Sequence, residues 1–289
     1  MPELPEVETI KRDLEKKILG QKIVQVHVHD YRVIRNSSSR SFIKKLIVRT
    51  FQTVSRRGKA LIFTFRDSGY LVVQPMMTGQ LILRPCSVST LSEVEGLIYA
   101  ADSSSGKKSQ TKITFRLSNH SHLNYNDQRL FGRLQFCRTL EEIKFFQDLG
   151  VEPFSPGLSA LWLAHQLIPR STPIKNFLMN QKFIAGIGNI YASEILFAAG
   201  IHPRRAARTL SPEETRSLHK KIKEILNEAI RWRGTSMNTY RDANGQKGNY
   251  IQRIKVYGRE DEACLRCQTP VERMIQAGRS TFFCRRCQK

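Results

Sequence analysis

Met1-Pro2-Glu3-Leu4-Pro5-Glu6-Val7-Glu8 opens the chain, and these eight residues define both its first element and its most reactive group. Pro5 suits the first position of a helix, where a missing N–H goes unnoticed. Glu6 and Glu8 in the first turn complement the positive helix end. Val7, Ile10, Leu14 and Ile18 recur at helical spacing and predict one apolar face, and Gly20 can end the helix. Once the initiator methionine is removed, Pro2 presents a secondary amine. An α-amino group has a reference pKa of about 7.7–8.0, so a useful fraction is neutral near pH 7 and can attack an aldehyde-like carbon. The resulting iminium ion has no N–H proton to lose. It stays cationic and acts as an electron sink for elimination. Glu3 and Glu6 lie within one helical turn of that amine. They read either as proton-transfer groups or as plain helix caps.

Working outward, the 289 residues are 40% hydrophobic, enough for one large or two ordinary cores. Lys and Arg number 47 against 25 acids, a net charge of +22. Such a balance points to a polyanionic partner, most often nucleic acid, and names no reaction. No basic stretch followed by an apolar run marks a secretory signal, and no apolar run approaches the roughly 18–20 residues of a membrane span. The expected setting is therefore cytoplasmic, with no membrane partner.

Residues 21–84 read as strands. Ile23 to His29 alternates with period two. Leu61–Phe65 and Tyr70–Val73 flank the turn Arg66-Asp67-Ser68-Gly69. Before them, Gly58 permits a tight bend and Lys59 is expected to start an apolar strand. Pro75 to Gln80 joins two strands and carries Met76 and Met77, read either as a partly buried turn or as an apolar wedge for DNA. Residues 85–110 are poor in periodicity, and 103–108 reads as a mobile loop. Strand signals resume at 112–117. In Asp127 to Arg133, Arg129 and Phe131 would project to one side if the segment is extended.

From about residue 150 the pattern turns helical. Helices are expected over 160–168, 173–179, 190–199 and 212–231, the last with Leu218, Ile222, Ile225, Leu226 and Ala229 on one face. Gly186 and Gly188 free backbone N–H groups at the start of the third, an arrangement that suits a phosphate. Residues 234–262 read as a polar, flexible loop leading into Tyr250–Tyr257. Cys264-x-x-Cys267 and Cys284-x-x-Cys287, sixteen residues apart, form the spacing of one tetrahedral zinc site with four cysteine ligands. Arg279 falls at the tip of a hairpin between them. Cys86 and Cys137 are unpaired, with burial their expected fate.

Taken in order, PELPEVE, RRGK around Lys59, Met77-Thr78-Gly79, DQRLFG, GIGNIYASEILFAAGIHP and the four-cysteine segment resemble the formamidopyrimidine-DNA glycosylases, relatives of endonuclease VIII. The resemblance spans nearly the whole chain. It implies an α+β fold: an N-terminal helix and two-layer antiparallel β-sandwich over 1–150, and a helix–two-turn–helix domain over 151–233. A lesion-capping loop and connector would follow over 234–262, then a four-cysteine zinc-finger β-hairpin over 263–289. It further implies a bifunctional DNA glycosylase/AP lyase of base excision repair. Such an enzyme excises 8-oxoguanine and formamidopyrimidines from double-stranded DNA through a Schiff base on Pro2, then nicks the strand by β,δ-elimination.

The resemblance also assigns roles. Pro2 would attack C1′ of the damaged nucleotide. Glu3 would be the general acid/base, and Glu6 would help position the sugar. Lys59 would serve the lyase step and hold a phosphate. Asn189, Arg279 and Arg170 would grip phosphates, Arg279 within the catalytic set. Met77, Arg129 and Phe131 would fill the space left by the flipped nucleotide, as extrusion requires. Zn2+ would be structural, and the enzyme a monomer. Three departures stand out. Gln74 replaces a family histidine, Gln110 or Lys112 would substitute for an expected phosphate-contacting histidine near 109–112, and the 85–108 segment is long. The alternatives are an endonuclease VIII-like enzyme for oxidised pyrimidines and a non-catalytic zinc-dependent DNA-binding protein. The second leaves Pro2, Glu3 and Glu6 without a purpose.

Overall fold

In the computed structural model, which describes residues 1–85 and 110–289, the first helix α1 runs Leu4–Ile18. It starts one residue before the expected position, so Pro5 is its second residue, where the lost N–H is still harmless. Val7, Ile10, Leu14 and Ile18 are all fully buried, each removing apolar surface worth about 2 kcal/mol from water. Gly20 follows at φ +78°, the left-handed conformation that ends a helix without a Cβ penalty.

The described residues divide into two units, Met1–Pro2 with Glu6–Ile143 and Ser236–Gly248, and Glu3–Pro5 with Lys144–Thr235 and Asn249–Lys289. In the first, α1 is followed by β1 (Ile23–Val28), α2 (Ser39–Leu46), β2 (Phe51–Arg57), β3 (Ala60–Phe65), β4 (Tyr70–Gln74), β5 (Gln80–Arg84), β6 (Thr111–Leu117), β7 (His122–Asn126) and β8 (Arg133–Cys137). Two antiparallel four-stranded sheets form, ordered β1-β6-β7-β5 and β2-β3-β4-β8. One core joins them. Val26, Phe115 and Leu123 come from the first sheet, Phe63, Leu71 and Leu134 from the second, and the apolar face of α1 packs with both sets. Two connections cross between the sheets at one edge of this sandwich. Pro75–Gly79 links β4 to β5, and Asp127–Gly132 links β7 to β8. Their ends are held by paired residues, Gln74 with Arg133 and Gln80 with Asn126, so the two connections are neighbours by register.

Two expectations need correcting here. Lys59 does not start a strand. Arg57 pairs with Ala60, which leaves Gly58 and Lys59 as a two-residue turn with Gly58 at φ +57°. Residues 236–248 are not a loose loop either. Tyr240 and Ala243 join the first core, and the Leu83 N–H donates to the Ala243 carbonyl at 2.8 Å. The buried Asp242 carboxylate accepts from the backbone N–H groups of Asn244 and Gln246, each at 2.9 Å. Two apolar side chains in a polar stretch sufficed to pack it. The segment 103–108 and Cys86 lie outside the described residues; Cys137 is buried as expected.

The second unit contains α3 (Lys144–Gln147), α4 (Ala160–Leu167), α5 (Ile174–Met179), α6 (Asn189–Ala199), α7 (Pro212–Arg231), β9 (Glu272–Gln276) and β10 (Arg279–Phe283). Ser211 and Glu214 form a capping box at the start of α7, satisfying two of its orphan donors. Leu218, Ile222, Leu226 and Ala229 are buried and Ile225 partly so. In α6 every residue from Ile190 to Phe197 is buried. That is why its composition shows little helical amphipathicity. Among the described residues no helix is long and apolar enough to cross a membrane.

Candidate active site

In the first unit Pro2 and Glu6 are buried, and Met1 is half exposed. With Met1 in place the Pro2 nitrogen is an amide and cannot act as a nucleophile, so any chemistry at that nitrogen requires removal of Met1. Lys59 sits half-buried at its turn. Arg56, three residues earlier, donates to Glu8 of α1 at 3.1 Å and to the Gly58 carbonyl at 2.9 Å. This pair fixes the turn against the helix that begins beside Pro2. Composition alone gave no sign of it, since Glu8 and Arg56 are 48 residues apart.

Met77 and Phe131 are apolar yet 38% and 48% exposed on the two crossing connections. Arg129 and Phe131 do lie together, but not through an extended segment. Leu130 between them is left-handed at φ +58°, and the bend lays the Arg129 guanidinium 4.8 Å from the Phe131 ring centroid, within cation–π range. Gln110 is exposed, and its carbonyl accepts from the Asp127 N–H at 2.9 Å.

In the second unit the start of α6 is occupied by protein rather than left open for phosphate. The buried Glu3 carboxylate accepts from the backbone N–H groups of Gly188 at 2.8 Å, Ile190 at 2.9 Å and Tyr191 at 3.4 Å. The positive helix end suits an anion, and the chain supplies one from its own third residue. Glu3 is thus a cap after all, but of a helix almost 190 residues away in sequence.

Asn189 is held on both sides. Its Oδ1 accepts from Lys175 Nζ at 2.6 Å, and its Nδ2 donates to the Ser280 carbonyl at 2.9 Å. Lys175, buried, also donates to Thr281 Oγ1 at 2.6 Å. Burial and the neighbouring Arg279 guanidinium push the Lys175 ammonium down to about 8, while the Glu3 carboxylate acts in the other direction. Arg170 stacks over Phe183 at 4.2 Å and donates to the Gln166 carbonyl. Arg279 is exposed at the first position of β10, next to the turn Ala277-Gly278, whose φ values are +49° and +70°. The buried Glu194 accepts from the N–H groups of Lys255 at 2.9 Å, Val256 at 3.0 Å and Tyr257 at 2.9 Å. Lys175 and Glu194 went unnoticed in the sequence because a charged residue in a helix reads as solvated surface.

The Sγ atoms of Cys264, Cys267, Cys284 and Cys287 all lie within 4.8 Å of one another. Cys264–Cys287 and Cys267–Cys284 are 3.9 and 3.5 Å apart, near the roughly 3.8 Å edge of a tetrahedron with Zn–S bonds of about 2.3 Å. The set therefore fits one zinc ion with a closed ligand shell, a structural site. A small apolar core of Phe197, Val256, Val271 and Phe282 surrounds it.

These features converge on a DNA-repair glycosylase fold. Three family profiles match the chain: the formamidopyrimidine-DNA glycosylase N-terminal domain over residues 1–134, its H2TH domain over 149–241, and a zinc finger found in FPG and IleRS over 261–289. The formamidopyrimidine-DNA glycosylase of Desulfitobacterium hafniense is 39% identical over the full length of both chains. Among solved structures, the MutM (Fpg) protein from Thermus thermophilus is 36% identical with a TM-score of 0.83, covering 99% of this chain and 98% of its own. A Lactococcus lactis Fpg variant in complex with a Fapy-dG containing DNA is 33% identical with a TM-score of 0.87 and full coverage of both chains. The chain belongs to the formamidopyrimidine-DNA glycosylase family.

Proposed function

We infer that this protein excises oxidised purines from duplex DNA and cleaves the strand at the abasic site it makes. The observation that carries this reading is the pairing of Pro2 with Glu3. The residue that follows the prospective nucleophile in the chain has its carboxylate ordered by three backbone N–H groups, which supports its reading as an acid/base group. The relatives solved with Fapy-dG and abasic-site DNA support the substrate class.

In this reading the neutral Pro2 amine attacks C1′, the C1′–base bond breaks, and the base leaves with a proton relayed by Glu3. The attached nitrogen loses its proton, the C1′–O4′ bond breaks as Glu3 protonates O4′, and the ring-opened sugar is held on Pro2 as an iminium; loss of a C2′ proton then expels the 3′ phosphate, and loss of the C4′ proton expels the 5′ phosphate. Glu6 positions the sugar and Lys59 serves the elimination. Arg170, Asn189 and Arg279 contact phosphates, as does Gln110 or Lys112 in place of the family histidine. Met77, Arg129 and Phe131 fill the vacated stack. The protein acts as a monomer in the cytoplasm, with one structural zinc.

Borohydride trapping tests the chemistry: 8-oxoguanine duplex should yield a covalent adduct through Pro2, and a non-catalytic binder yields none. Relative rates on 8-oxoguanine opposite cytosine and on thymine glycol test the substrate class. Faster turnover of thymine glycol would replace the purine reading with the endonuclease VIII-like one.

A further inference from the structure

Asp127 stands directly after β7 and is completely buried, although it belongs to none of the roles above. Its carboxylate accepts hydrogen bonds from both sheet-crossing connections. Oδ2 takes the Gly132 N–H at 2.7 Å and the Tyr125 hydroxyl at 3.4 Å. Oδ1 takes the Arg129 N–H at 3.2 Å and the Thr78 hydroxyl from the opposite connection. Thr78 Oγ1 in turn accepts from the Arg129 N–H at 3.0 Å. One carboxylate thereby fixes the backbone on both sides of Phe131 and grips the residue next to Met77.

The surroundings leave no slack. A Cβ on Gly132 would overlap the Tyr125 hydroxyl and lie 2.8 Å from Asp127 Oδ2, and one on Gly79 would lie 2.6 Å from the same hydroxyl. Both connections are thus closed down onto the Tyr125–Asp127 pair, while the side chains at their tips, Met77, Arg129 and Phe131, remain exposed. A buried acceptor serving several donors holds them to one arrangement, because the Gly132 N–H and the Tyr125 hydroxyl would be buried and unpaired without it.

We propose that Asp127 is a positioning residue that locks Met77, Arg129 and Phe131 into a single rigid wedge for the space opened by the extruded nucleotide. Thr78 is the link between the two halves. This rests on the reading of those three side chains as fillers of the vacated stack. Rigidity matters because an apolar tip that must enter a base stack loses less entropy if it is already ordered, and a displacement of about 1 Å can lower a rate by roughly 100-fold.

The test is a mutant cycle on the full-length protein with zinc bound. Single-turnover excision of 8-oxoguanine opposite cytosine is measured together with stopped-flow fluorescence of a 2-aminopurine beside the lesion. The variants are Asp127→Asn, Thr78→Val, the triple change Met77→Ala/Arg129→Ala/Phe131→Ala, and each of the first two within the triple. Trapping on a single-stranded abasic oligonucleotide, where there is no stack to fill, reports intact Pro2 chemistry in every variant. We expect Asp127→Asn to lower excision by about 10- to 100-fold and to slow the 2-aminopurine signal. Thr78→Val should act in the same direction, and neither should have a further effect within the triple. An Asp127→Asn or Thr78→Val effect of the same size with and without the three tips would overturn the positioning role while leaving the wedge reading intact. A triple variant with wild-type excision would overturn the wedge reading and the inference together. Should Asp127→Asn not fold, Thr78→Val decides alone, since it removes one hydroxyl and keeps the carboxylate.

Discussion

The Glu3 carboxylate and Gly188 occupy the same space that any larger residue at 188 would need. The Gly188 N–H donates to Glu3 Oε2 at 2.8 Å, and a Cβ on Gly188 would lie 2.5 Å from Glu3 Oε1. Gly188 sits at φ −130°, which any residue can adopt, so the requirement for glycine here is one of close approach and not of backbone conformation. Gly188→Ala should therefore push the carboxylate off the α6 N–H groups. The expected result is base excision lowered by about 10- to 100-fold with DNA affinity largely kept. Glu3→Gln should lose base excision and retain part of its cleavage of a pre-formed abasic site, because that substrate needs no base removal. Single-turnover rates on the two substrates check both, and equal loss on both would assign Glu3 a purely structural role.

Pro2→Gly should abolish or strongly impair strand cleavage while duplex affinity persists, since in the proposed reading affinity comes from phosphate contacts spread over the chain. A retained Met1 should have the same effect by keeping the nitrogen in an amide. Intact mass, borohydride trapping and filter binding on one preparation measure all three quantities. Wild-type cleavage by Pro2→Gly would remove the nucleophile assignment.

Lys175 gives a pH prediction. Its folded value is lowered to about 8 by burial first and Arg279 second, against an unfolded value near 10.4. Between these two values the unfolded chain binds more protons at this site, so stability contributed here rises with pH across that window. Below about pH 8 both states are charged and the full penalty of burying the ammonium is present. Lys175→Met removes the titrating group. The wild-type minus variant difference in melting temperature should therefore rise from pH 8 to pH 10. A flat difference would show that the ammonium is not desolvated.

Glu194 is a buried carboxylate that accepts from three consecutive backbone N–H groups. Glu194→Ala leaves these donors without their acceptor, and each unpaired buried donor costs about 1–3 kcal/mol. Since the Val256 bond is fully buried and those of Lys255 and Tyr257 only partly so, a loss of about 1–3 kcal/mol in urea unfolding of the variant is expected. Glu194→Gln keeps one acceptor oxygen and should recover part of it. Burial raises the Glu194 carboxyl and the backbone N–H groups oppose that rise, so the glutamine form is the nearer mimic if the acid is neutral.

Cys284→Ser should lose zinc and most DNA binding, because metal binding supplies much of the folding free energy of so small a module. The first unit should stay folded and Pro2 competent. Arg279→Ala should keep the zinc, weaken binding, and lower the salt dependence by about one phosphate contact. Zinc content and affinity across a salt series measure both effects. Full affinity in a zinc-free Cys284→Ser protein would make the finger dispensable.

Local pattern by itself determined a large part of this protein. The α1 face, the strand runs, the apolar face of α7 and the zinc ligands were all legible, because each depends on residues within a few positions of one another or on a spacing peculiar to metal sites. The order of the motifs carried the family. Tertiary structure alone decided what the buried charges do. Glu3 caps α6, Glu8 holds the Lys59 turn through Arg56, Lys175 joins Asn189 to β10, and Asp127 clamps two connections. Each is a charged residue with a partner from a distant segment, and Glu3, Lys175 and Asp127 are buried only because such partners satisfy their hydrogen bonds. The same reason explains the two misread segments. Lys59 sits in a turn because the pairing of Arg57 with Ala60 sets the register, and residues 236–248 pack because the first core receives Tyr240 and Ala243. Register and long-range burial are properties of the assembled fold, and no window of sequence contains them.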